Sequence, residues 1–321
     1  MFFRGQIIGK YKILSTIGSG GFGTVYLADD TWINKKVALK VPHKQGVDFG
    51  ELLRESRLLA ALDHPNIVRI VTADRQENVF FVVMEFVPGE TLEAIIARDG
   101  ALEVALALDY TCQMCNAVDH AHRQGVLHRD LRPSNIIVSD SGQLKVADFG
   151  TSRFLEIAAH GSTVIGSPPY MAPEQFDGKA VFASDIYSIG VTMYQMLTGD
   201  LPYDTPSPAD LEKLRRGELV SAPRLKNPKI PRAINDVVLK AMNPEIHLRY
   251  QRAGELLDDV LAARGSTLRR TPRPQAADSA SAEDIQTRLK AREALQPRFC
   301  WHCRKPLHAR AGRCPFCGET Q

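Results

Sequence analysis

The hydrophobic periodicity of this 321-residue chain changes character near residue 100, and that switch constrains the fold more than any other feature. Before it, short β-rich runs recur at residues 11–17, 24–28, 36–41, 67–72 and 79–86, rich in the branched and aromatic residues that suit a pleated surface. One helical pattern, 49–62, interrupts them, with Leu52, Leu53, Leu58, Leu59 and Leu62 on an apolar stripe. Beyond the switch the period becomes helical, at 102–124, 183–198, 233–242 and 252–263. The expected architecture is therefore α+β, a small sheet with one helix followed by an α-rich second lobe.

Several classes are excluded early. The longest apolar stretches, such as 79–84, are strand-length and fall far short of the roughly 18–20 residues that span a bilayer. Residues 1–10 offer only Phe2 and Phe3 before Arg4, without the apolar segment of a secretory signal. A cytoplasmic chain with no transmembrane segment is expected, and its six cysteines should be reduced. The net charge of +3 is unevenly spread: residues 264–321 carry twelve Lys and Arg against five Asp and Glu, leaving −4 on the remainder. That tail would suit an anionic partner, whether nucleic acid, a membrane surface or an acidic protein, or serve as a solvated basic linker. Its first part, 264–297, is rich in Arg, Ser, Ala and Pro and reads as a linker, with one short helix expected at 281–295.

The residues that carry chemistry lie in the two lobes. Gly18, Ser19, Gly20, Gly21, Phe22, Gly23, Thr24 and Val25 form a Gly-x-Gly-x-x-Gly-x-Val run between two expected strands. Glycine there lets the backbone approach a polyphosphate with its N–H donors, or simply makes a flexible hairpin. A dinucleotide fold is disfavoured, since its glycines lead directly into a helix. Val37, Ala38, Leu39 and Lys40 follow as a strand that sets one lysine among apolar neighbours, and Glu55 on the next helix is a plausible partner. The run His128, Arg129, Asp130, Leu131, Arg132, Pro133, Ser134, Asn135 then supplies an acid and an amide five residues apart. Asp148, Phe149 and Gly150 come after a hairpin expected to turn at 140–142.

These motifs, with Ala172-Pro173-Glu174, occur in the order and at the spacings of the protein-kinase superfamily, which the chain closely resembles over about residues 11–262. His64-Pro65-Asn66-Ile67-Val68, Met84-Glu85-Phe86 and Asp185-Ile186-Tyr187-Ser188-Ile189-Gly190 look most like the bacterial, eukaryotic-like serine/threonine kinases. The resemblance implies a two-lobed kinase fold, β-rich then α-rich, that transfers the γ-phosphoryl group of ATP to protein hydroxyls in signal transduction. It implies that Asp130 accepts or orients the substrate proton, that Asn135 and Asp148 hold Mg2+ or Mn2+, and that Lys40, fixed by Glu55, grips the nucleotide. Arg129 would meet a phosphorylated or acidic activation segment. Val25, Ala38 and Ile137 would sandwich adenine, with Met84 behind it and Glu85 to Val87 as the inter-lobe hinge. Leu59, Ile70, His128 and Phe149 match the stack that aligns the lobes, which makes His128 a packed histidine. Glu174 and Arg249 match the family's buried ion pair, and Asp185 its anchor for the catalytic loop.

The pattern departs at Arg132, where the family usually has a lysine that contacts the transferred phosphate. Arginine keeps the charge on a larger planar head, so activity is expected to be lower. The contrasting reading is a weakly active or inactive nucleotide-binding scaffold that recruits partners through its tail. Ser167 retains a hydroxyl where serine/threonine kinases usually carry threonine, which favours that specificity. Ser162 and Thr163 are candidates for activating autophosphorylation, and a homodimer is a candidate activating partner.

The C-terminus holds a separate constellation. Cys300 and Cys303, then Cys314 and Cys317, form two Cys-x-x-Cys knuckles separated by ten residues, which suits tetrahedral zinc, with a redox pair as the alternative. The segment resembles a zinc ribbon, and so short a stretch has too little core to fold without a metal or staple. His302 and His308 are expected at the surface, while Arg298, Arg304, Lys305, Arg310 and Arg313 would permit phosphate contacts. Cys112 and Cys115 share the spacing but lie within a long amphipathic pattern and read as buried thiols. The expected organisation is an extension at 1–10, a kinase domain at 11–263, a linker at 264–297 and a ribbon at 298–321.

Overall fold

A computed structural model describes residues 2–20, 23–43, 56–76, 79–149 and 167–268, with side chains omitted at 208 and 265–268, and the backbone at 298–299, 306–307 and 320. The chain divides into two compact units, Met1–Arg269 and Arg270–Gln321. The first opens with strands β1 (Ile7–Ile8), β2 (Tyr11–Gly20), β3 (Gly23–Asp30), β4 (Lys35–Pro42), β5 (Ile70–Gln76) and β6 (Val79–Glu85). They make one antiparallel sheet in the order β1-β2-β3-β4-β6-β5. Strand β6 sits between β4 and β5 and is buried over residues 80–84, which explains why its sequence is a continuous apolar run without alternation. Two cross-strand pairs matter for the site, because the register sets Val25 opposite Lys40 and Ala38 opposite Met84.

Two readings of this lobe are revised. The strand expected at 67–72 starts at Ile70; Ile67 instead makes an isolated parallel bridge to Val146, so those residues form the joint between the lobes. There the Asn66 side chain donates to the Leu144 carbonyl at 2.8 Å, and the Val68 N–H donates to the Val146 carbonyl at 2.9 Å. Of the helix expected at 49–62, residues 56–60 are described and helical; Leu59 and Leu62 are buried, but Leu58 is 46% exposed and lies off the apolar stripe. Leu52, Leu53 and Glu55 lie outside the described residues.

The second lobe begins with β7 (Glu90–Thr91), α1 (Leu92–Asp99) and α2 (Val104–Arg123), followed by β8 (Ile136–Val138) and β9 (Leu144–Val146). Strands β7, β8 and β9 form a small sheet, and the β8–β9 hairpin turns through Gly142, whose φ of 79° lies in the left-handed region that glycine enters without steric cost. Helix α3 (Phe182–Thr198) is buried almost all round, as a central core helix should be. Helices α4 (Leu211–Arg215), α5 (Pro223–Lys226), α6 (Arg232–Ala241) and α7 (Ala253–Leu268) complete the lobe. A Cβ at Gly190 would fall 2.8 Å from Met242 Cγ and 3.0 Å from Ala241 Cβ, so α3 and the end of α6 approach as closely as glycine permits. Burial removes Cys115 from solvent and pushes its thiol well above its ordinary range, whereas Cys112 is only partly buried.

In the second unit, β10 (Arg298–Phe299) pairs antiparallel with β11 (Pro306–Leu307), Phe299 facing Pro306. Among the described residues, no helix is long and apolar enough to cross a membrane.

Candidate active site

The glycine run is not a loop that leads into a helix but the tip of the β2–β3 hairpin, where Gly18 pairs with Val25 and Gly20 with Gly23. At Gly23 the hairpin tip lies against β4 so closely that a Cβ would overlap the Val41 carbonyl. Gly21 and Phe22 lie outside the described residues. Beneath this hairpin opens a cleft of ≈ 460 Å³ whose lining includes Gly18, Ser19, Gly20, Lys40, Asp130, Asn135 and Asp148.

The inner end of the cleft is apolar. Ala38, Val68 and Met84 are buried in one cluster, against which Val25, Val87 and Ile137 pack. This cluster draws on both lobes, with Ile137 on β8 below and Val25 and Ala38 on the upper sheet. Glu85 ends β6 and is held by Lys145, whose Nζ donates to Oε1 at 2.8 Å, and by the Arg69 N–H at 2.9 Å.

The polar end is built around Lys40, buried on β4 with its Nζ 2.7 Å from Asp148 Oδ1. Sequence reasoning paired Lys40 with Glu55, which lies outside the described residues; the described partner is Asp148. Asp148 has a φ of 64°, a left-handed conformation that aspartate tolerates better than most residues. Opposite it, Asp130 is buried; its Oδ1 accepts from the Ser167 N–H at 3.0 Å, and Asn135 Nδ2 donates to its carbonyl at 2.7 Å and to Oδ2 at 3.3 Å. Arg132 Nη1 donates to Ser167 Oγ at 2.6 Å. Hence Lys40, Asp130, Arg132, Asn135 and Asp148, drawn from a strand, a turn and a hairpin exit, converge on one cavity.

This convergence depends on a buried frame. Asp185, at the start of α3, accepts from the N–H groups of His128 and Arg129, each at 2.8 Å, and from His122 Nε2 at 2.8 Å. Burial by itself would raise the Asp185 carboxyl, but the His122 hydrogen bond and the other donors outweigh it and hold the group below its usual range. The anchored turn keeps Arg129 at a φ of 68°, and the Arg129 carbonyl accepts from Gln175 Nε2 at 2.9 Å. His128 is fully buried: Nε2 faces the Ala147 carbonyl at 2.9 Å, which requires Nε2–H and leaves Nδ1 to accept the Asp130 N–H at 3.3 Å. Its ring lies 4.7 Å from that of Phe149, and Leu59, Phe149 and the partly buried Ile70 belong to the same core.

The oxygen donors suit a hard divalent cation. Asn135 directs its amide nitrogen at Asp130, which leaves Oδ1 as its acceptor, and Asp148 contributes a carboxylate. Among the described residues no group of three or more His, Cys, Asp or Glu is arranged to hold a metal ion.

Sequence reasoning missed Ile17, Val68, Thr91, Glu93, Ser134 and Ala147, all of which line the cleft. Ile17 and Ala147 adjoin recognised motifs and Val68 and Ser134 lie within them, whereas nothing local distinguished Thr91 and Glu93. Gly150, Ser162, Thr163, Cys300, Cys303, Cys314 and Cys317 lie outside the described residues.

Residues 11–298 match the protein kinase domain family. The chain is 36% identical over 266 residues to the serine/threonine-protein kinase PrkC of Bacillus subtilis, covering 80% of this chain and 41% of that protein. It is 33% identical over 265 residues to the serine/threonine-protein kinase PknB of Mycolicibacterium smegmatis, covering 78% of this chain and 42% of that protein. The chain thus spans about two fifths of the length of these curated relatives. Among solved structures, a crystal structure of Rad53 1-466 in complex with AMP-PNP superposes with a TM-score of 0.68 at 28% identity, covering 78% of this chain and 64% of that one.

Proposed function

The chain belongs to the protein kinase family, and from that premise we propose that it transfers the γ-phosphoryl group of ATP to serine or threonine hydroxyls of protein substrates. The observation that carries this reading is the gathering of Lys40, Asp130, Asn135 and Asp148 around one cleft, with Lys40 Nζ 2.7 Å from Asp148 Oδ1. The names of the curated relatives support it, as does the nucleotide analogue in the Rad53 complex.

On this reading the apolar end takes the adenine between Val25 and Ala38 above and Ile137 below, with Met84 behind it and the 85–87 backbone at its edge. The N–H groups of Gly18 to Gly23 and the Lys40 ammonium bind the phosphates. Asn135 and Asp148 hold the divalent cation, Mg2+ or Mn2+, which when bound offsets phosphate charge. Asp130 orients the substrate hydroxyl and takes its proton as the hydroxyl oxygen bonds to the γ-phosphorus and the bond to the ADP oxygen breaks. Arg132 contributes positive charge beside the transferred group. The frame from Asp185 to His128 holds the turn that carries Asp130.

Transfer from γ-labelled ATP to a basic protein in the presence of Mg2+ tests the proposal. Phosphoserine and phosphothreonine are expected, and on the chain itself modification at Ser162 or Thr163. Nucleotide binding without any transfer would leave the scaffold reading, for which Arg132 is the motivating departure.

We further propose that residues 298–321 form a zinc ribbon after a linker at 264–297, offering its basic residues to a protein or nucleic-acid partner. The antiparallel pairing of Arg298–Phe299 with Pro306–Leu307, which lie on either side of Cys300 and Cys303 in the sequence, supports this. About one zinc per chain is expected by elemental analysis, falling toward zero in a Cys300→Ser, Cys303→Ser protein. Zinc-free protein with its four cysteines oxidised would favour the redox alternative.

A further inference from the structure

Arg132 stands where the resemblance implies lysine, and its side chain lines the cleft. Nη1 donates to Ser167 Oγ at 2.6 Å, while Nη2 donates to Glu93 Oε1 at 3.2 Å. The guanidinium carbon lies 5.9 Å from the Tyr170 ring centroid, and burial pushes the Tyr170 phenol up to about 12, so this ring stays neutral beside the cation. The Arg132 Nε is buried with no hydrogen-bond partner among the described residues. The head group is therefore placed by its two outer arms, at the expense of its inner donor.

Glu93 reaches this cluster from another element, the first turn of α1, which is capped by the Thr91 hydroxyl accepting from the Ala94 N–H at 3.2 Å. An acid in a first turn favours the helix dipole whichever way its side chain turns. Here the carboxylate crosses to a residue 39 positions later in the chain. As a stabilising contact the pair is poor, since the two side chains are 51% and 30% exposed and solvent screens them. Its consequence is geometric. An ammonium offers donors that swing to any acceptor, whereas a guanidinium directs its donors only within its plane. With Ser167 holding one arm alone, that plane can rotate; with Glu93 on the other arm it cannot.

We propose that Glu93 is a positioning residue for phosphoryl transfer, holding the plane of Arg132 beside Asp130 and Ser167. The proposal rests on the phosphotransferase reading of the same cleft. Steady-state kinetics on the full chain test it with four proteins: wild type, Glu93→Gln, Arg132→Lys and the double variant. Glu93→Gln is expected to lower kcat by about fivefold and to leave KM for ATP and for the protein substrate within about twofold. In the Arg132→Lys background the same substitution should change kcat by less than about twofold, because no plane remains to be held. Salt should narrow the wild-type difference, as expected of a screened pair.

Equal losses in both backgrounds would overturn the proposal. So would a raised protein-substrate KM with kcat unchanged, which would make Glu93 a contact for basic peptides. A gain in kcat would also overturn it, since Glu93 would then be restraining the arginine. Unchanged circular dichroism and thermal midpoint separate these outcomes from misfolding. An inactive wild-type chain would sink the phosphotransferase reading and this inference together, whereas an active wild type with equal losses sinks the inference alone.

Discussion

Asp130→Asn is expected to slow phosphoryl transfer by about 10²- to 10⁴-fold, the range typical of a removed proton acceptor. The carboxylate has two oxygens with distinct duties: Oδ1 accepts the Ser167 N–H at 3.0 Å, and Oδ2 receives the longer Asn135 bond at 3.3 Å. An asparagine can keep the first bond through its carbonyl, so the turn and the nucleotide pocket should persist. What it loses is the charge and the basic oxygen that would face the substrate hydroxyl. Initial rates of label transfer should therefore collapse while nucleotide affinity stays near that of the wild type. Equal rates from the two proteins would remove Asp130 from the chemistry and, with it, the main residue assignment.

The second large effect concerns stability. Arg249→Met is expected to cost about 3–5 kcal/mol, as when one partner of a buried ion pair is removed. All five N–H donors of Arg249 are used: Nη1 on Glu174 Oε1 and the Ala183 carbonyl, both at 2.8 Å; Nη2 on Glu174 Oε2 and the Pro244 carbonyl; and Nε on the Asn243 carbonyl. The Arg249 side chain is wholly buried, and its guanidinium lies 5.0 Å from the Tyr187 ring centroid. Methionine would fill much of the volume but leave the Glu174 carboxylate with only the Ser184 hydroxyl, at 2.7 Å, of these polar partners. A fall in thermal midpoint on the order of 10 °C should follow. A midpoint within about 2 °C of the wild type would mean that water or a rearranged neighbour satisfies Glu174, and that the pair does not brace this lobe.

The motifs made much of this molecule legible. Strand β6 was readable as an unbroken apolar run of strand length, from Val79 to Met84, and the long helices because apolar residues repeat at the helical period, as in the stripe along α2. Lys40, Asp130, Asn135 and Asp148 were readable because each sits in a short pattern of fixed spacing, and they line one cavity. Shorter and less periodic pieces escaped. Helix α1 spans eight residues, too few for a periodic signal, so Thr91 and Glu93 were not noticed although both line the cleft. Leu58 fitted an apolar stripe by residue type yet faces solvent, since only the neighbouring elements decide which face of a helix is covered.

Arg132 shows most clearly where the division falls. Its departure from lysine was visible by inspection and pointed only to weaker activity. Its contacts with Glu93, 39 residues earlier, and Ser167, 35 residues later, exist because α1, the 128–135 turn and the start of the following segment meet at one edge of the cleft. The order of the motifs by itself determined the family, the two-lobed plan and the residues with chemistry to offer, because those depend on residue type and local spacing. Only the tertiary structure decided which side chain holds which, because hydrogen bonds and ion pairs act over a few ångströms and chain separation does not specify them.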